Sequence, residues 1–166
     1  MKIDVSDLLK KNITKKDIDL TILEKGFYDG REPISFVGPV KLEGALSLVG
    51  DMLYLDATAT AKIELICSRC LERFVRDIHI DIHEKFSNEN VNKDDDYIFI
   101  DSDAIDITEI IENNIILSLP IKKLCKEDCK GLCQICGTNL NNSSCNCVNQ
   151  DIDPRLAGLK DFFSSN

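Results

Sequence analysis

The sequence predicts an α+β fold: an antiparallel β-sheet with a long hairpin, one packed helix, and a C-terminal segment dominated by cysteine. Three observations lead there. Apolar and polar residues alternate with period two through most of the stretch from Val40 to Phe86, the pattern of strands with one buried face. One apolar stripe at helical spacing, Ile107, Ile110, Ile111 and Ile115, follows a capping signal and stops at Pro120. Six of the eight cysteines, Cys125, Cys129, Cys133, Cys136, Cys145 and Cys147, crowd the tail, and the other two form Cys67-Ser68-Arg69-Cys70.

Taken in order, the first element is a short strand in which Ile18, Leu20 and Ile22 alternate with polar residues. Val40, Leu42, Leu46 and Leu48 then share one face, Gly50-Asp51 turns the chain, and Leu53, Leu55, Ala57, Ala59, Ala61, Ile63 and Leu65 continue that face as the second arm of a hairpin. This arm ends at Cys67, which sets the first cysteine pair on the tip of a rigid strand. Phe74, Ile78, Ile80, Ile82 and Phe86 form the next strand, and its other face carries Asp77, His79, Asp81 and His83. Alternating His and Asp can bind metal, but the chain has only these two histidines, so a solvated face is the favoured reading. The polar loop 87–96 is expected to be mobile, and Tyr97-Ile98-Phe99-Ile100 is expected to return as a buried strand. Asp106-Ile107-Thr108-Glu109 resembles a capping box and opens a helix near 106–119. Asp153-Pro154 starts a last short helix with Leu156, Leu159 and Phe163 on one face. Residues 1–120 thus read as a β-rich core domain, and residues 121–166 as a metal-binding tail packed on it.

The cysteine spacing carries the chemistry. Tetrahedral Zn²⁺ binds thiolates at about 2.3 Å, and a Cys-x2-Cys turn supplies two of them from one loop. Cys67/Cys70 and Cys133/Cys136 are such turns, and Gly137 suits the left-handed backbone that follows a second ligand. The eight thiols divide into two sets of four. Cys145 and Cys147 would close a site with Cys133 and Cys136, leaving Cys67, Cys70, Cys125 and Cys129 for another that staples the tail to the middle of the chain. The spacing identifies the ligands better than it identifies their partition. Two zinc ions are the expected cofactors, with an iron–sulfur cluster the less favoured occupant of the same thiols. A secreted disulfide scaffold does not fit the opening Met1-Lys2-Ile3-Asp4-Val5-Ser6-Asp7, which is no leader. A redox Cys-x2-Cys does not fit either, because no helical pattern follows Cys70. Cys129-x3-Cys133-x2-Cys136 matches a radical-enzyme cluster motif, but only 30 residues follow where a barrel would be needed. Residues 139–150 offer almost no apolar side chains, so metal must supply their order.

Charge narrows the partners. The net charge is -9, but residues 88–112 hold nine acids against Lys93 alone, leaving the rest of the chain near neutral. The bases gather elsewhere: Arg69 and Arg73 at the first cysteine pair, and Lys122, Lys123, Lys126 and Lys130 among the tail cysteines. These six are the candidate RNA-binding residues, acting on phosphates, since Trp is absent and Tyr scarce for base stacking. No apolar run approaches the ~20 residues of a membrane span, and free thiols imply the cytoplasm. No carboxylate pair stands out as a nuclease site, and neither membrane nor DNA is an expected partner.

The run Cys67-Ser68-Arg69-Cys70-Leu71-Glu72-Arg73-Phe74, the link Ile105-Asp106-Ile107, the helix end Leu117-Ser118-Leu119-Pro120, the stretch from Cys125 to Asn141, and Asp153-Pro154-Arg155-Leu156-Ala157 together resemble the YceD family. That family comprises bacterial proteins, with plastid relatives, named for large ribosomal RNA subunit accumulation. The resemblance runs from the hairpin to the tail and carries little of the first thirty residues. It implies a non-enzymatic ribosome-biogenesis factor that supports accumulation or processing of large-subunit (23S) ribosomal RNA, through the RNA itself or a pre-50S particle. The charge pattern adds a second expectation, an adaptor whose acidic segment grips a basic ribosomal protein.

Overall fold

Strict alternation makes the strands, and their length comes from having few breakers. In the computed structural model, which describes residues 1–88 and 97–147, the chain forms β1 (Lys2–Asp4), α1 (Ser6–Leu9), β2 (Lys15–Ile22), β3 (Gly26–Tyr28), β4 (Pro33–Phe36), β5 (Val40–Val49), β6 (Met52–Ile66), β7 (Arg73–Ser87), β8 (Ile98–Phe99), β9 (Ala104–Asp106) and α2 (Ile107–Ser118). No helix among the described residues is long and apolar enough to cross a membrane.

Strand β6 is the spine of a seven-stranded sheet. On one side β5 pairs with it antiparallel across Gly50 and Asp51, from Val49↔Met52 to Lys41↔Thr60. Strand β4 continues that edge at Phe36↔Ile63, and β2 and β3 extend the sheet outward. On the other side β7 pairs along the whole of β6, from Leu53↔Phe86 to Ile66↔Arg73. The six residues between β6 and β7 hold the first cysteine pair, so the register of a 15-residue strand pair places Cys67 and Cys70. Gly44 of β5, opposite Ala57, permits the close approach of β5 to β6: a Cβ there would lie 2.3 Å from the Asp56 carbonyl oxygen and 2.5 Å from the Ala57 Cβ.

One sheet face is buried. Leu42, Leu46, Leu53, Leu55, Ile63, Leu65, Ile82 and Phe86 form one apolar cluster with Val5 and Leu8 at the N-terminal end and Ile107, Ile111 and Ile115 of α2. Asp106 caps α2, its carboxylate accepting from the Thr108 N–H at 3.1 Å. Strands β1 and β9 pair as a separate ribbon that ties residues 2–4 to the start of α2. The other face is polar: His79, Asp81 and His83 are exposed, His83 Nδ1 meets Asp56 Oδ1 at 2.8 Å, and Thr58 donates to Asp81.

One expectation changes. Ile98 and Phe99 are 41% and 54% exposed, and only Ile100 of that run is buried. The reason is position: β8 is two residues long and meets only the end of β7, in parallel, at a sheet margin. Strands β1, β3, β4 and β9 and helix α1 carry no sequence signal, being too short for periodicity to emerge. The loop 87–96 lies outside the described residues except for its first two, and the helix expected after Pro154 lies outside them entirely.

Candidate metal centres

The end of β6 delivers Cys67, a tight turn delivers Cys70, and the segment after α2 returns to them. Cys67 N–H donates to the Glu72 carbonyl at 2.9 Å and Leu71 N–H to the Cys67 carbonyl at 3.0 Å, closing the turn with Leu71 at φ +60°. The returning segment is fastened by Ser68, whose N–H donates to the Lys123 carbonyl at 2.7 Å while its Oγ accepts from Lys123 N–H at 3.1 Å. This brings Cys125 and Cys129 onto the first pair.

The eight sulfurs fall into two quartets, Cys67/Cys70/Cys125/Cys129 and Cys133/Cys136/Cys145/Cys147, each with all four Sγ within 4.8 Å of one another. In the first, Cys67 Sγ lies 3.7 Å from Cys129 Sγ, and Cys70 Sγ 3.7 Å from Cys125 Sγ. Four ligands about 2.3 Å from a tetrahedral ion lie roughly 3.8 Å apart, so this donor set fits a tetrahedral thiophilic metal. The second quartet is built on the turn Cys133 to Thr138, where Cys133 N–H donates to the Thr138 carbonyl, Gly137 N–H donates to the Cys133 carbonyl, and Gly137 sits at φ +71°. Among the described residues these are the two groups of side chains able to hold a metal; the His and Asp row of β7 forms none.

The quartets differ in exposure. Cys67, Cys70 and Cys129 are 0%, 3% and 2% exposed and pack with Phe74, Leu124 and Leu132. Cys136 and Cys147 are exposed, and Cys133 and Cys145 half-buried.

Each quartet contains two thiols held low and two pushed high. Burial raises Cys67, but the N–H groups of Cys70, Cys125 and Arg69 outweigh it and bring the thiol down to about 6. The Asn141 amide lowers Cys129. Burial and then the Cys70 sulfur push Cys125 up to about 12, and Cys70 is raised as burial and Cys67 overcome the Glu72 N–H. In the second quartet the Thr138 hydroxyl, 3.0 Å from Cys136 Sγ, and the Thr138 N–H bring Cys136 to about 6, while Cys136 drives Cys147 up to about 12. Four sulfurs this close cannot all ionise alone; a divalent cation removes that limit and takes four thiolates.

The six basic candidates meet different fates. Arg69 donates through a guanidinium nitrogen to the Cys129 carbonyl at 2.7 Å, and Arg73 pairs with Glu64 at 2.6 Å. Lys123 is 13% exposed and bridges Asp29 at 2.7 Å and Glu32 at 2.5 Å. Lys122, Lys126 and Lys130 are exposed and form no ion pair among the described residues. Sequence reasoning missed Asp29, Glu32, Thr138 and Asn141. Their partners lie far off along the chain or depend on turn geometry, so only the Asn-rich run 139–142 offered any hint.

Comparison with known proteins supplies the last observation. A family model described as "Large ribosomal RNA subunit accumulation protein YceD" matches residues 55–163. An uncharacterised protein of Bacillus subtilis, YlbN, is 29% identical over 127 residues, covering 75% of this chain and 74% of its own. A chloroplastic protein of Arabidopsis thaliana, named "Large ribosomal RNA subunit accumulation protein YCED homolog 1", is 26% identical over 179 residues, covering 89% of this chain and 54% of its own. An uncharacterised protein of Mycobacterium leprae, ML1660, is 27% identical over 112 residues, with 64% of this chain and 52% of its own covered. The chain therefore spans about half the length of these last two relatives. No solved structure matches.

Proposed function

The chain belongs to the YceD family, and from that premise we propose that it is a non-enzymatic assembly factor for the large ribosomal subunit, contacting its RNA or a pre-50S particle beside the metal centres. The family's name implies a role in large ribosomal RNA accumulation. The finer reading rests on one observation: Lys122, Lys126 and Lys130 are exposed and form no ion pair among the described residues, while Arg73 and Lys123 are engaged by carboxylates.

Electrostatics sets how strong that contact is. Side chains of residues 67–73 and 121–147 sum to +3, whereas two zinc–tetrathiolates would contribute roughly -2 each. The metal-loaded end is then no broad cationic field, and binding depends on three local lysines. Neutralising three phosphates gives a salt slope of roughly -2 to -3. The test is affinity for large-subunit ribosomal RNA fragments against salt concentration. K122E/K126E/K130E is expected to weaken binding more than tenfold and flatten the slope; an unchanged slope refutes contact through these lysines.

A second reading keeps the acidic side. Ile98 and Phe99 stand exposed on a groove of about 380 Å³ that also carries Asp101 and Glu109. An apolar strip edged by acids suits a basic segment of a ribosomal protein. Capture of such a protein after nuclease treatment, lost on F99D, would favour this reading over direct RNA contact.

A further inference from the structure

Asn141 lies in the loop 137–144, which the second quartet closes at both ends through Cys136 and Cys145, yet its side chain serves the first quartet. Its Nδ2 donates to Cys129 Sγ at 3.3 Å, and its Oδ1 accepts from the Lys130 N–H at 3.0 Å. A backbone N–H can only donate, so it orients the amide with its NH₂ toward the sulfur. Asn139 Oδ1 steadies this pose, accepting from the Asn141 N–H at 3.0 Å and from Nδ2 at 2.9 Å. The loop is docked by Leu140 N–H on the Gly131 carbonyl at 2.9 Å and by the Leu132↔Asn139 bridge. Gly131, at φ +75°, passes so close to Arg69 that a Cβ would lie 3.1 Å from the Arg69 carbonyl oxygen.

We propose that Asn141 couples the two metal centres, so that the ion in the buried quartet is held more tightly when the exposed quartet is filled. The loop contributes only Leu140 as a large apolar side chain, so its shape depends on closure by the second ion. With that ion gone, Asn141 is no longer held over Cys129, and the thiolate loses a donor that disperses its charge. Losing such a partner costs a metal site typically 10- to 100-fold in affinity, and the coupling is reciprocal. Exposure orders the events: a chelator reaches Cys136 and Cys147 before it reaches the buried Cys67, Cys70 and Cys129. Emptying the outer centre then loosens the inner one. The inference rests on reading both quartets as metal centres and is independent of any contact with RNA.

The experiment titrates the full chain with Zn²⁺ against a chromophoric chelator, and cadmium NMR assigns each affinity to its centre. Four proteins are compared: wild type, C136S/C147S, N141A, and the triple variant. Wild type should bind two ions. C136S/C147S should hold one, about tenfold or more weaker than the buried centre of wild type, and N141A should hold two with the buried one weakened about as much. The triple variant should be no weaker than C136S/C147S. N141D keeps the side chain's size but turns an acceptor on the sulfur, and should weaken the buried centre further. Buried-centre affinities within twofold between wild type and C136S/C147S overturn the coupling. An added loss in the triple variant overturns the role of Asn141. A wild-type stoichiometry below two overturns the metal premise itself, and it is read before either comparison.

Discussion

Lys123 fastens the metal end to the sheet. It emerges just before Cys125 and reaches the turn between β3 and β4, 94 residues away in sequence at Asp29 and 91 at Glu32. Asp29 also accepts from the N–H groups of Arg31 at 2.9 Å and Glu32 at 2.8 Å. Burial raises its carboxyl, but Lys123 and those two N–H groups overcome it and hold the pKa at about 2 instead of 3.8. That gap corresponds to about 2 kcal/mol. The backbone donors supply part of it, while Glu32, 29% exposed, also loses its partner when Lys123 is replaced. The two corrections oppose each other, so K123M is expected to cost about 2 kcal/mol, below the ~3 to 5 of breaking a fully buried pair. Metal-saturated protein unfolded in urea near neutral pH measures it, and a cycle with D29N isolates the pair. The pH sign follows from the depressed carboxyl: its contribution is complete above about pH 4 and fades as pH falls toward 2. Because acid also protonates the thiolates, the useful quantity is the difference between wild type and variant in one buffer, which should shrink across that window. A difference under 0.5 kcal/mol near neutrality, or one that stays constant down to pH 2, would refute the clamp.

Two further outcomes are expected. Removing metal with a strong chelator near neutral pH should release two ions and expose amides of 121–147 to hydrogen exchange while β5, β6 and β7 stay protected; uniform protection throughout would show that the tail holds its shape without metal. G44V forces a side chain into the 2.3 Å approach to Asp56 and should destabilise by about 2 kcal/mol or more, seen as a lower thermal midpoint with the metal content unchanged.

Much of this molecule was legible from its residues because the signals were local. Period two along β6 runs for 15 residues without a break, so its buried face, from Leu53 to Leu65, follows from the alternation alone. The isoleucine stripe of α2 and its Asp106 cap are equally local. The short spacings of each pair marked the eight sulfurs as ligands, but their division into two quartets was decided only where the returning chain brings Cys125 and Cys129 onto Cys67 and Cys70. Where the signals were neither long nor local, reading failed. Strand β8 looked buried because its residues are apolar, but burial depends on what covers a strand, and among the described residues Phe99 at the sheet margin stays 54% exposed. Lys123 looked like a free cation because its carboxylates lie some ninety residues upstream.

Composition and spacing determined, unaided, which side chains are fit to bind metal, which faces are apolar, and where the helix starts and stops, since each depends on neighbours within a few residues. Only the tertiary structure decided which charges remain available and which centre is sheltered. Both depend on segments remote in sequence meeting at the end of β6, and neither Asp29 beside Lys123 nor Asn141 over Cys129 leaves a periodic trace in the chain.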